Sequence, residues 1–351
     1  MPQTHRSGWW LAVLLAIAGC HREAPGDLPL FERKISIADK FYDVRALDAA
    51  RAVVVGYGGK ILMTEDGGRS WQVRPSGTDR ALYSVEFIDA NTGWVSGQDG
   101  VILHTADGGK TWTRQVSGTV VYLFAIDFID QRNGWAVGDR STYVRTADGG
   151  KTWHLGKVGA AERLSADEAL LSQEPVLYDV QFLDADTGWI VGEFGNIYHT
   201  TDGGKTWAAQ QETLLGAGIF VTLDLPTFFG VQFIDRLNGI AAGLEGRVAR
   251  TRDGGQNWKF EKFDLKRPII DPLYQPFQFP DTTGWAVGGA GEVARQAAAA
   301  GAWQRASLGM EILTWLRGVH FLDHDNGWIV GGYGLILHTS DGGKTWLPSA
   351  G

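Results

Sequence analysis

The chain has 351 residues, among them 48 glycines, 15 tryptophans and one cysteine, with 44% apolar residues and a formal net charge of −8. An acidic balance argues against nucleic acid as a partner, because nucleic-acid binding needs a basic footprint. A lone cysteine excludes internal disulfides and Cys-based metal centres, and the apolar, glycine-rich composition fits a folded, turn-rich protein rather than a disordered one.

In chain order, Arg6 and the apolar run Trp9–Ala18 come first, a segment too short to span a bilayer as a helix. The run ends Leu15-Ala16-Ile17-Ala18-Gly19-Cys20, which is similar to the lipobox of bacterial lipoproteins. That resemblance implies a signal peptide over 1–19, lipidation of Cys20 and an anchor linker over 20–29. Stable anchoring would follow from several acyl chains, each buried CH₂ contributing about 0.8 kcal/mol. His21, rather than Asp, implies the outer membrane and the periplasmic side of the envelope.

From residue 30 onward one pattern recurs. Six segments read Thr-x-Asp-Gly-Gly-x-x-Trp: Thr64–Trp71, Thr105–Trp112, Thr146–Trp153, Thr200–Trp207, Thr251–Trp258 and Thr339–Trp346. A seventh copy ends at Trp303 without the aspartate and glycines, and successive tryptophans are 41, 41, 54, 51, 45 and 43 residues apart. A period of this size marks a repeat architecture. The unit 82–116 predicts strands over Tyr83–Ile88, Trp94–Gly97, Val101–Thr105 and Thr111–Val116, separated by Asp/Asn/Gly turns. Four short antiparallel strands per unit and seven units predict an all-β fold, a seven-bladed β-propeller over 30–351. Whether Phe31–Ile37 or the segment after Trp346 supplies the last blade's fourth strand is left open at this point.

The repeat absorbs most of the residues that look chemical. The box aspartates and a second set (Asp48, Asp89, Asp130, Asp184, Asp235, Asp281 and Asp323) are expected to accept backbone N–H bonds within their own turns. His104, His199 and His338 share one repeat position and predict no metal site. Trp315 alone among the tryptophans after the leader falls outside the repeat. The polar residues inside each first strand, Arg45, Glu86, Asp127, Gln181, Gln232, Gln278 and His320, are expected to line a solvated channel.

Length variation is confined to the connections between blades. From each closing Trp to the next first-strand Phe the gap is 16 residues at its shortest, rising to 29 before Phe182, 26 before Phe233 and 21 before Phe279. The insertions are Ala160–Ser172, with a Ser165-x-x-Glu168 capping box, apolar Thr213–Phe229, and Lys262–Pro276. Insertions on one face mark a binding face, whether they plug the ring or expose an apolar patch. The loops between second and third strands on that face carry Tyr57, Asp99, Asp139, Arg140, Glu193, Phe194, Glu245, Arg247 and Tyr333. Predicted partner contacts are Trp315, Arg317, Phe228, Phe229, Tyr274, Arg267, Arg140, Arg247 and Tyr333.

Thr-x-Asp-Gly-Gly-Lys-Thr-Trp resembles the Asp-box (BNR repeat) of sialidases, xyloglucanases and sortilin-type receptors, but the sialidase Arg-Ile-Pro motif is absent. The longer unit, V-x-F-x-D-x-x-x-G-W-x-V-G-x-x-G-x-I-x-x-T-x-D-G-G-x-T-W, is similar to the photosystem II stability/assembly factor family over about residues 30–349. That resemblance implies a monomeric, non-enzymatic propeller without cofactor or metal, binding a membrane protein or membrane-complex subunit. In bacteria without photosystems it implies an export or efflux context. It also implies an arginine patch, to which Arg80, Arg140, Arg247, Arg267 and Arg317 are candidates. The alternative is a glycan-binding or glycoside-hydrolysing Asp-box propeller, with Glu193 and Glu245 as the available carboxylates.

Overall fold

The computed structural model describes residues 35–159, 174–215, 225–298 and 301–349. The predicted leader, Cys20, the linker and the capping-box helix lie outside these residues, as does part of the Thr213–Phe229 insertion. Among the described residues there are 28 strands and no α-helix. They form seven four-stranded antiparallel sheets, each from consecutive strands. In the first blade these are β1 (Phe41–Ala46), β2 (Ala52–Gly56), β3 (Ile61–Thr64) and β4 (Gln72–Arg74). The innermost strands of the other blades are β5 (Leu82–Phe87), β9 (Leu123–Phe128), β13 (Leu177–Phe182), β17 (Phe228–Phe233), β21 (Leu273–Gln278) and β25 (Leu316–Phe321). Each packs on the next around the ring, and β25 returns to β1.

The repeated box builds the turn that ends each blade. In the third blade the Thr146 hydroxyl donates to Asp148 Oδ1 (2.8 Å) and accepts from the Gly150 N–H (2.9 Å). Asp148 in turn accepts from the N–H and hydroxyl of Thr152, at 2.9 and 2.6 Å. Side-chain hydroxyl bonds first, and backbone bonds second, hold Asp66, Asp148 and Asp341 at a pKa of about 2. Gly150 sits at φ 82, a conformation that favours glycine. In the sixth blade, which lacks the box, Gln296 is buried instead and bonds Gly301 O (2.7 Å) and the buried Arg250 (2.7 Å).

Blades are joined by an aromatic seam. A second-strand tryptophan stacks on the first-strand phenylalanine of the next blade: Trp94 on Phe128 (3.6 Å), Trp135 on Phe182 (3.5 Å), Trp189 on Phe233 (3.6 Å). The box tryptophan of that next blade meets the same phenylalanine edge-on, as Trp153 does with Phe128 (5.8 Å) and Trp207 with Phe182 (5.9 Å). Such pairs contribute about 0.5–1.5 kcal/mol beyond their area burial.

The ring closes without strand exchange among the described residues. The last blade completes itself with β28 (Leu347–Pro348), and residues 35–37 form no strand. Closure is side-chain packing, with Phe41, Val44, Leu62 and Trp71 of the first blade in one core with Trp328, Val330 and Ile336 of the last. Trp71 lies edge-on to Trp328 at 5.6 Å, and the buried Lys60–Asp39 ion pair (2.6 Å) pins the entering chain.

Candidate functional site

Every innermost strand carries a β-bulge at the same place. Phe41 pairs with Gly56 and Asp43 with Val55, leaving Tyr42 as the extra residue, and the shift recurs in β5, β9, β13, β17, β21 and β25. A bulge breaks the two-residue alternation and re-aims the side chain it frees. The seven freed residues are Tyr42, Tyr83, Phe124, Tyr178, Phe229, Tyr274 and Arg317. All seven line one recess of about 50 Å³.

They form a chain of touching rings. Centroid distances are 5.3 Å from Tyr42 to Tyr83, 5.1 Å to Phe124, 5.5 Å to Tyr178, 4.9 Å to Phe229 and 5.3 Å to Tyr274. Arg317 completes the ring, its guanidinium 4.7 Å from the Tyr274 centroid and 5.9 Å from that of Phe229. Trp315 widens the rim by stacking on Tyr42 at 5.7 Å and 6°. Burial pushes the Tyr42, Tyr83 and Tyr178 phenols above their ordinary pKa, so they remain neutral donors.

The mouth opens on the insertion face, because the bulges lie where β1-type strands begin, beside the turns joining second and third strands. Tyr57 N–H donates to Lys40 O at 2.9 Å there. At the tips of these turns Asp99, Arg140, Phe194, Glu245, Ala290 and Tyr333 hold φ between 49 and 57. A non-glycine residue in that region is strained by roughly 1–2 kcal/mol, and such strain gathers at functional sites.

Below the mouth the channel holds a space of about 150 Å³. Of the residues predicted to be solvated there, Asp127, Gln181, Gln232 and His320 act as clamps, together with Asp43, Ser84, Asp179 and Gln275. An innermost strand is a sheet edge with unpaired N–H groups, and such edges must be covered. Asp43 accepts from Val85 N (2.9 Å), Ser84 from Ile126 N (3.4 Å), Asp127 from Phe182 N (2.6 Å) and Asp179 from Val231 N (2.8 Å). Gln232 accepts from Gln278 N, Gln275 from Val319 N (3.1 Å), and His320 Nδ1 from Ala46 N (3.3 Å), so every seam is bridged. Gly230 lacks a clamp, and its partner Pro276 lacks an N–H; a Cβ on Gly230 would lie 2.5 Å from the proline ring.

Burial dominates the electrostatics of the clamps. It raises Asp43 to about 6 and Asp179 to about 7 against their backbone hydrogen bonds. It also pushes Glu86 and Asp127 up, with Arg45, paired to Glu86 at 2.5 Å, opposing the rise. His320 is held well below its ordinary value by burial and then by Arg45, which keeps Nδ1 free to accept.

One member of the predicted channel ring is corrected. Phe277, not Gln278, lines the channel, and Gln278 is 2% exposed. Pairing of Phe277 with Trp285 and Gln278 with Gly284 sets the blade one residue out from the Phe279 match, with Pro280 as the extra residue before Asp281. Phe228 is also corrected as an exposed contact. It is 0% exposed and packs in the core with Trp189 and Val191.

Of the remaining predicted contacts, Phe229, Tyr274, Arg317 and Trp315 converge at the mouth, and Tyr333 and Arg140 occupy strained turn tips. Arg247 is exposed over the Phe260 ring (5.1 Å) and 3.5 Å from Glu245. Arg267 is exposed on the 262–276 insertion, where Ile269 is buried in the core with Ile240 and Leu273 and Ile270 is 77% exposed. Sequence reasoning missed Tyr42, Tyr83, Phe124 and Tyr178. Of the two carboxylates considered for glycoside chemistry, Glu193 accepts from Val176 N at 2.9 Å and Glu245 is exposed 3.5 Å from Arg247. His199 and His338 stack on Trp189 and Trp328, and His104 lies tilted against Trp94 at the same repeat position. Among the described residues no group of three His, Cys, Asp or Glu could hold a metal.

A family model described as photosynthesis system II assembly factor YCF48 matches residues 29–120 and 163–221. The photosystem II assembly protein Ycf48 of Synechococcus sp. (strain JA-3-3Ab) is 28% identical over 189 residues, 50% of this chain and 49% of that one. The photosystem II assembly lipoprotein Ycf48 of a Nostoc strain is 28% identical over 170 residues, 48% of this chain and 46% of that one. The chain thus spans about half the length of the curated relatives it matches. Among solved structures, Ycf48 bound to a D1 peptide superposes with a TM-score of 0.65 at 20% identity, over 88% of this chain and 95% of that one. Ycf48 from Cyanidioschyzon merolae gives 0.66 at 18%, over 87% and 97%. The GH74 xyloglucanase from Xanthomonas campestris gives 0.67 at 13%, over 89% of this chain and 55% of that one. These structural likenesses carry the fold alone. Over the matched residues the repeat sequence is similar to that of the photosystem II assembly factor family, and the seven-bladed fold is shared with its solved structures.

Proposed function

We propose that this protein is a non-catalytic docking scaffold that holds a membrane protein or membrane-complex subunit during assembly, with the aromatic mouth and its rim as the partner surface. The single observation carrying this reading is the bulge ring, six aromatic side chains and one arginine gathered on the face that also bears the insertions. Aromatics and arginine are the residues that dominate binding energy at protein interfaces. The space below the mouth, about 150 Å³, falls short of the roughly 300–1,000 Å³ of small-molecule pockets. Relatives named as assembly proteins, and one bound to a D1 peptide, support the same reading. On this proposal residues 1–19 are removed, Cys20 is lipidated, and the propeller of residues 30–351 is held as a monomer on the periplasmic side of the envelope, at the outer membrane. The complex served is photosynthetic or an export system according to the organism.

The test is affinity purification of the full-length protein from detergent-solubilised membranes, with the Phe229→Ala/Trp315→Ala variant beside it. A defined membrane-protein partner should be recovered by the native protein and lost, by about tenfold or more, from the folded variant. Equal recovery by both, or recovery of lipoprotein-processing enzymes alone, would overturn the reading. Aromatic rings also stack on sugars, so turnover of aryl glycosides abolished by Glu193→Gln would favour the glycosidase alternative.

A further inference from the structure

Exposed apolar side chains are distributed unevenly over the propeller. Among the described residues five large ones, Ile37, Val116, Val120, Ile270 and Leu313, are 77–86% exposed, more than any other. All five lie on the insertion face. Ile37 precedes β1, Val116 ends the outer strand Thr113–Val116 of the second blade, and Val120, Ile270 and Leu313 sit on connections between blades. Chance exposure would scatter such residues over both ends of the sheets. Tyr57 and Tyr333, at turn tips of the first and last blades, add two exposed rings on the same face.

The fold holds these side chains outward. Ile269 is buried in the core while Ile270 beside it faces solvent, and Ile312 packs on the core of the last two blades while Leu313 beside it is exposed. Buried Ser117 donates to Gly100 O at 2.7 Å and fixes the turn between Val116 and Val120. Each loop is thus pinned by one residue and presents an apolar one next to it. Lys40 lies 5.4 Å from the Tyr57 centroid, and exposed Lys266 and Arg267 precede Ile270. Asp264 and Glu311 are exposed on the same loops, so charge is mixed and the apolar tips are the common feature. Apolar tips with long cationic side chains beside them suit the boundary between lipid headgroups and acyl chains.

Two observations select a bilayer over a folded protein as the occupant. The five side chains belong to four separate segments around the ring, and a plane meets all four together, whereas a folded partner buries one contiguous patch. The chain also enters the propeller on this face. Ile35 packs against the core shared by the first and last blades, and Asp39 O accepts from Gly334 N–H at 2.8 Å beside the Tyr333 tip. Cys20 precedes Ile35 by 15 residues, a reach of at most about 50 Å. Resting on the lipid-anchored reading above, we propose that the insertion face lies against the bilayer, with Ile37, Val120, Ile270 and Leu313 seated among the lipid headgroups.

The test is hydrogen exchange by mass spectrometry on the full-length protein, with and without vesicles of phosphatidylethanolamine and phosphatidylglycerol. Vesicles should slow exchange by about tenfold or more at 269–271 and 310–314, and leave the turn 235–238 on the opposite face unchanged. Ile270→Asp/Leu313→Asp alters two exposed positions, so the variant folds; it should stay on the vesicles through its acyl chains and lose the protection. Protection of both faces alike, protection at neither, or protection unchanged in the variant overturns the proposal. So does protection that appears with native membranes and not with pure lipid, which would assign the face to a protein partner. Vesicle binding without protection of these loops sinks the lipid-facing surface and leaves the anchor. Binding and protection in Cys20→Ser equal to those of the native protein would sink the anchor and leave the surface.

Discussion

Asp179 offers the sharpest test of the clamp arrangement. Its carboxylate accepts Val180 N at 2.9 Å and Val231 N at 2.8 Å, and burial lifts its pKa from 3.8 to about 7. A folded-state pKa above the unfolded one means that the native protein binds the extra proton. The stabilisation is therefore complete below about pH 3.8 and is lost as pH rises through about 7. Integrated between about pH 5 and about pH 8, at about 1.4 kcal/mol per unit, the loss is about 2–3 kcal/mol. Asp179→Asn does not titrate, so its penalty relative to wild type should shrink by about that amount across the interval. Urea denaturation followed by tryptophan fluorescence at both pH values measures it. Histidines whose pKa burial lowers (His104, His199 and His338) act in the opposite direction but are common to both proteins and cancel in the difference. A penalty that stays constant with pH would refute the argument, because Asp179 would then be ionised throughout.

Two further outcomes follow from the turns. Thr146→Val leaves the buried Gly150 N–H without its 2.9 Å acceptor, and a shift of about 1–3 kcal/mol in the unfolding free energy should result. An unchanged denaturation midpoint would show that the box is not held by its hydroxyl. Tyr333→Gly relieves a residue at φ 57 that is 63% exposed, and should stabilise the fold by about 0.5–1 kcal/mol while weakening capture of the membrane partner. A variant both more stable and fully competent in capture would remove Tyr333 from the rim.

The blade was legible because its turn chemistry is local. Predicted strands at Val101–Thr105 and Tyr83–Ile88 match the observed Val101–Thr105 and Leu82–Phe87 closely. The sixth blade went out of step because Phe279 stands at the usual distance from Asp281, while the residue paired to Gly284 is Gln278. The mouth was legible only in part, and the reason is geometric. Period-two reasoning places Tyr42 and Val44 on the same face, whereas the bulge between Phe41 and Asp43 turns Tyr42 into the channel mouth. Bulges leave no mark on a hydrophobic pattern. The clamps were equally hidden, since Asp43 and Val85 are joined across 42 residues and nothing in either segment names the other.

Because each blade is built from one uninterrupted stretch of chain, six of the seven junctions connect neighbours 42 to 55 residues apart, and one connects Ala46 to His320 across 274. The entropy of loop closure grows only with the logarithm of length, so the distant junction is dearer than a local one by less than about 2 kcal/mol. Kinetics are another matter. Blades can condense one upon another in sequence order, and the ring is expected to spend its folding as an open arc whose two ends meet last. That arc exposes Phe41 and Trp328, both almost wholly buried in the finished circle, and makes the final junction the place where one chain could pair with another copy of itself.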